Sequence, residues 1–249
     1  AIAGERLAQD GIELLNAGVA SHYPGLHLLR TRYLVETVGL RFDRLVVFLD
    51  LSDIQDEALC DESVSDGRMS IACVDAKPLR RRLRARIERH AFLLHTFLNC
   101  AERLLGFEPQ TGLNRERALW TIDQGLFDSY GKKGLSRAIA HMDALAELLR
   151  GRGIGLTVAV YPWPDQIARR DSPSRQVLAW RQWAERQKAD FIDLFPVFLE
   201  PQPPEETIRR YFIQGDVHWN EVGHRLVAER FLEYYAKELK GRLAAAAKR

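Results

Sequence analysis

Apolar residues in this chain follow two spacings, and the spacing sorts the elements. "RLVVFLD" (44–50) and "IGLTVAVY" (154–161) are apolar almost without a break, the pattern of strands covered on both faces. Elsewhere apolar residues recur every third or fourth position, which predicts amphipathic helices. That spacing predicts helices over 25–42, 76–105, 135–153, 174–189 and 220–243, and the end of another over 1–10 that stops at Gly11. Shorter runs predict strands at 12–16 ("IELLN") and 190–195 ("DFIDLF"). The residues between about 106 and 131 read as loop-rich, as does "PWPDQIARRDSP" (162–173).

Strands alternating with helices predict the α/β class, a mostly parallel sheet with helices on both faces. Such sheets bind ligands at the carboxyl ends of their strands. The loops after residues 16, 50, 161 and 195 are therefore the places to look for chemistry. A length of 249 residues fits one large domain.

Composition narrows the function classes. A formal charge of +2 gives no electrostatic reason to expect a nucleic-acid or membrane partner. The arginines at 80–89 read as the solvated side of the long helix that contains them. No apolar run reaches the length of a membrane span, and the first residue is Ala1 rather than Met. Cys60, Cys73 and Cys100 read as three unremarkable thiols, one disulfide and a free thiol being the alternative.

The densest polar chemistry is "GDVHWNEVGH" (215–224), at a loop-to-helix junction. An Asp two residues before a His can fix the imidazole tautomer and stabilise the imidazolium, which makes Asp216 and His218 a general-base pair. Taken alone, Asp216 can equally cap the following helix. His218, Glu221 and His224 lack the spacing of a zinc site, so the residues call for neither metal nor cofactor. In "LNAGVASHYP", Gly18 carries no Cβ, and its N–H can approach a ligand as an oxyanion donor. In "FLDLSDIQDE", a strand delivers Ser52, a hydroxyl donor, to the same edge, while Asp50 and Asp53 can brace the loop. Trp163 and Trp219 stand at strand end and base, where they either line a pocket or pack the core. Asp53 and His22, the latter beside the glycine turn, are further candidates to line that pocket, with an exposed loop residue the other reading of His22, and Trp180 and Trp183 are expected to pack the core.

The ordered set "LLNAGV", "VVFLDLSDI", "YPWP" and "DVHWNEVGHRLVAERF" resembles the SGNH (GDSL-type) hydrolases. The resemblance covers most of the chain and implies a flavodoxin-like α/β/α fold and Ser-His-Asp acyl chemistry. It implies that His218 is the base, Asp216 its partner, Gly18 an oxyanion donor, and Ser52 and Asp53 the counterparts of the family's Asn-Asp pair. The Asp-x-His-Trp form is similar to the SGNH-like proteins of bacterial exopolysaccharide O-acetylation, alginate included. By the same resemblance the nucleophilic Ser is expected in a Gly-Asp-Ser block upstream of residue 1, with a first strand, so that 1–249 is an N-terminally incomplete SGNH domain. Ser21 is a remote stand-in and reads as a turn residue. The expected substrate is an O-acyl, chiefly acetyl, ester of a small molecule or carbohydrate. The alternative is a non-catalytic carbohydrate-binding relative. The resemblance also suggests export to the periplasm.

Overall fold

The computed structural model describes residues 2–65, 68–73, 115–200 and 203–241. Its centre is a parallel sheet of β1 (Arg44–Leu49), β4 (Gly155–Val160) and β5 (Asp190–Asp193) in the order β1-β4-β5. In register, Leu49 lies beside Val160 and Val160 beside Asp193, so the carboxyl ends of all three strands align. The two unbroken apolar runs are thus the strands predicted from them.

Their side chains alternate between two cores, as a pleated strand requires. Val47, Leu49, Val158 and Val160 point to one face. There they meet α2 (Pro24–Arg32), α3 (Asp53–Leu59), α4 (Lys132–Arg150) and α6 (Arg175–Gln187). Ala159, Ile192 and the half-buried Phe48 point to the other. That face packs on α7 (Phe195–Leu199), α8 (Pro204–Tyr211) and α9 (Glu221–Tyr234). The result is a three-layer α/β/α fold. Trp180 and Trp183 are fully buried on α6, as their helical spacing predicted. Helix α1 (Ile2–Ala8) ends near Gly11, whose φ of 73° is one that glycine takes without strain, and Leu7 packs on Tyr235 and Leu239 beyond α9.

Close backbone contact sets the spacing of two helices. A Cβ on Gly134 of α4 would come within 1.8 Å of the Ile54 carbonyl oxygen of α3, so a side chain there would force the pair apart. At the amino end of the sheet, Arg44 donates to Asp190 at 2.5 Å and to Thr157 Oγ1 at 2.8 Å, tying all three strands by one side chain. Gly155 leaves room for this guanidinium, which a Cβ would approach to 2.8 Å.

Several expectations need correction. Residues 12–19 form no strand, and Leu14, Leu15 and Val19 are exposed. A strand exists only through a hydrogen-bonded neighbour, and no described residues pair with this stretch. The polar loop after α3 is an antiparallel hairpin, β2 (Cys60–Ser65) with β3 (Arg68–Cys73). Its register sets Cys60 opposite Cys73, and the two form a disulfide rather than two free thiols. Cys100 and the helix predicted over 76–105 lie outside the described residues. Short helical turns occupy Arg115–Thr121 and Phe127–Gly131, a stretch read as loop. Helices α5 (Pro164–Ala168) and α8 also fall where loops were expected, each opened by a proline that fits the first helical turn.

Candidate active site

Past β1 and β4, two carboxylates and two aromatics form one hydrogen-bonded hub. The strand register puts Asp50 next to Tyr161. Asp50 Oδ2 accepts the Tyr161 hydroxyl at 2.5 Å and the Trp163 indole N–H at 2.9 Å. Its Oδ1 accepts the Ser52 N–H at 2.7 Å, which closes the turn into α3. Asp53 returns the bond, accepting the Asp50 N–H at 2.9 Å. Burial, reinforced by the neighbouring Asp50 charge, pushes the Asp53 carboxyl well above its usual range, and burial does the same to the Tyr161 phenol.

The second group is the loop before α9. Gly215, at φ 75°, turns the chain, and Asp216 N–H donates to Ile213 O at 3.0 Å. Asp216 Oδ1 then accepts the Val217 N–H, the His218 N–H at 3.1 Å and the His218 ring Nδ1–H at 2.6 Å. A carboxylate acceptor requires the proton on Nδ1, so in the neutral ring Nε2 carries the lone pair, on a side chain 69% exposed. Burial raises the Asp216 pKa, but the imidazole and the two backbone amides outweigh it and hold the carboxyl below its usual value.

Asp216 is therefore not the cap of α9. Asn220 is: its Oδ1 accepts the Gly223 N–H at 3.0 Å, while its Nδ2 donates to the Arg210 and Phe212 carbonyls. Capping the helix and bonding the His218 ring therefore fall to different residues. Gly223 permits the close approach, since a Cβ there would sit 2.2 Å from Tyr211 O and 2.9 Å from Trp219 Cβ.

Trp219 lies between the two groups, with its ring 4.6 Å from that of Tyr161. The other candidates are placed differently. Ser52 stands at the N-cap position of α3 without bonding the helix through its side chain, so its hydroxyl is not committed there. Trp163 is buried and its N–H is taken by Asp50, so its ring belongs to the core. The Gly18 N–H donates to Asn16 Oδ1 at 3.0 Å and must leave that acceptor before it can serve a ligand. His22 lies 6.0 Å from the His27 ring. Among the described residues no hydrogen bond or ring contact ties Gly18 or His22 to the hub or to the Asp216 loop. Ser21 is exposed in the left-handed region, at φ 61°. His224 sets its ring edge-on to Trp219 at 5.5 Å.

Sequence reasoning missed the hub's centre. From sequence Asp50 reads as one of two loop braces, and Tyr161 only as the end of the apolar run 154–161. The signal available was their shared place as the residue just after each buried strand.

A three-stranded parallel sheet between two helical layers, with a hydrogen-bonded Asp–His pair in the loop before α9, is the setting of an SGNH hydrolase-like domain. Residues 119–248 match the family described as ALGX, the SGNH hydrolase-like domain of the acetyltransferase AlgX. The match spans just over half of the chain, and the protein belongs to that family. No curated protein and no solved structure gives a significant match.

Proposed function

We propose that the protein is an esterase or O-acyltransferase that acts on O-acyl esters, acetyl foremost, with a carbohydrate as the natural acceptor or donor. His218 Nε2 takes the proton of an attacking serine hydroxyl while its oxygen bonds the acyl carbonyl carbon. The carbonyl electron pair moves onto oxygen, where the Ser52 hydroxyl acts as donor, joined by the Gly18 N–H once it leaves Asn16 Oδ1. As the intermediate collapses, His218 returns the proton to the leaving alkoxide, and the acyl group stays on the serine. Water or a second hydroxyl then takes it by the same steps in reverse. Asp216 holds the imidazole tautomer and stabilises the imidazolium.

The observation that carries this reading is the 2.6 Å Asp216–His218 bond on an exposed imidazole with a free Nε2. A capping or packing role would need neither the pairing nor the exposure. The Cys60–Cys73 disulfide supports an exported setting, because such bonds persist in oxidising compartments. Among the described residues no helix is long and apolar enough to cross a membrane.

The test is turnover of an O-acetyl ester by the full-length protein and by His218→Ala. Loss on the order of 10²–10⁴-fold is expected for the variant. Equal rates would sink the assignment. A wild-type protein that binds carbohydrate but neither turns over ester nor reacts with a serine-directed fluorophosphonate would be a non-catalytic relative.

A further inference from the structure

The hub and the base share no hydrogen bond, yet one aromatic chain joins them. Trp219 directly follows His218, and its ring is held by contact alone. It lies 4.6 Å from Tyr161, stacks on Phe198 at 6.2 Å with an interplanar angle of 8°, and meets His224 edge-on at 5.5 Å. Its indole Nε1 is buried and has no hydrogen-bond partner among the described residues. Among the described residues nothing polar bonds this ring, so its angle follows the shape of its neighbours. Backbone bonds from Ile213 N–H to His218 O and from Asn220 N–H to Tyr211 O hold the ends of its loop.

Of those neighbours, Tyr161 is the one anchored by a strong polar bond. Its hydroxyl sits 2.5 Å from Asp50 Oδ2, and a charge-assisted O–H···O bond of that length holds a ring in one orientation. Trp163 donates to the same oxygen but is not among the rings that touch Trp219. The two donors share an acceptor and differ in what lies behind them. That difference allows a coupling role to be separated from simple core packing.

We propose that Tyr161 is a positioning residue for the His218 base: the Asp50–Tyr161 bond sets the Trp219 ring, and the ring sets the loop that aims the imidazole. This rests on the reading of His218 as the base. It adds that the turn after β1, which carries Ser52, and the loop before α9, which carries His218, are held in mutual alignment through Tyr161 at the end of β4. A base and an oxyanion donor on different loops need such alignment, since small misplacements of reacting groups cost large factors in rate.

The experiment compares Tyr161→Phe and Trp163→Phe in the full-length protein, by two readouts. The first, which needs no substrate, is the downfield proton resonance of His218 Nδ1–H in the Asp216 bond. Tyr161→Phe should shift or broaden it, and Trp163→Phe should leave it in place. The second is steady-state kinetics on an O-acetyl ester: Tyr161→Phe should lower kcat about 10–100-fold with KM little changed. Trp219→Phe, which keeps an aromatic ring against Tyr161, should move the resonance in the same direction as Tyr161→Phe.

If Tyr161→Phe leaves the resonance unmoved, or both Phe variants at the Asp50 oxygen move it equally, the coupling is overturned. If the wild-type protein turns over no ester while Tyr161→Phe alone moves the resonance, the coupling stands and the enzymatic reading falls. The two failures are therefore distinguishable.

Discussion

Asp50 and Asp216 each accept three hydrogen bonds near the carboxyl end of the same sheet, and they put them to opposite uses. The donors to Asp50 are the Ser52 amide, the Tyr161 hydroxyl and the Trp163 indole, the last two 111 and 113 residues away in sequence. Asp216 gathers its donors from the next two residues, all onto one oxygen. The first arrangement ties distant segments together, using both carboxylate oxygens. The second leaves the far nitrogen of an exposed imidazole open for a reactant. A carboxylate whose donors come from distant segments acts on the fold, whereas one bonded to a neighbouring exposed His acts on the orientation of that ring.

The sharpest break of this comparison is His218→Ala, which should cost catalysis about 3–5 kcal/mol in barrier. Because the imidazole is exposed, the thermal midpoint should barely move. A fall of several degrees would show the pair to be structural. The opposite profile is expected for Asp50→Ala, which leaves three donors without their acceptor. Denaturant unfolding should register a loss of about 3 kcal/mol or more, since each orphaned buried donor costs roughly 1–3 kcal/mol. Stability unchanged within error would mean that the hub anchors nothing.

Asp53 offers a finer probe through pH. Its carboxyl pKa is raised in the folded protein above the ordinary 3.8, chiefly by burial. The stability it contributes is fully present below that unfolded value and is lost as pH rises through the folded one. Asp53→Asn stays neutral and can still accept the Asp50 N–H. Its stability relative to wild type should therefore improve as pH is raised above about 4. A difference flat in pH would contradict the raised pKa. The smallest effect expected is that of Asn220→Ala, about 1 kcal/mol for a lost N-cap. Its activity should fall less than that of Asp216→Asn, for which roughly 10²–10⁴-fold is expected. Equal losses would return the capping role to the centre of the site.

The same contrast explains what could be read from the chain. The Asp216–His218 pair was legible because its bonds span two residues, and short spacing is what a sequence displays. The α/β class was legible because the unbroken strands differ in period from the helices. The Asp50 hub was not, since its partners meet only once β1 and β4 lie in register. The hairpin and its disulfide were hidden for the same reason: Cys60 and Cys73 become opposite only when β2 and β3 pair. Residues 12–16 show the reverse error. An apolar run marks the capacity to be a strand, and without a paired neighbour the capacity is not used.

The Arg44 clamp at the amino end of the sheet has a consequence for how this protein can vary. One guanidinium ties Asp190 and Thr157, and Gly155 stays bare to admit it. Four positions on three strands therefore depend on one another for their contacts. The amino end of the sheet is thus pinned by one side-chain clamp, apart from the carboxyl end where Asp50 and Tyr161 meet.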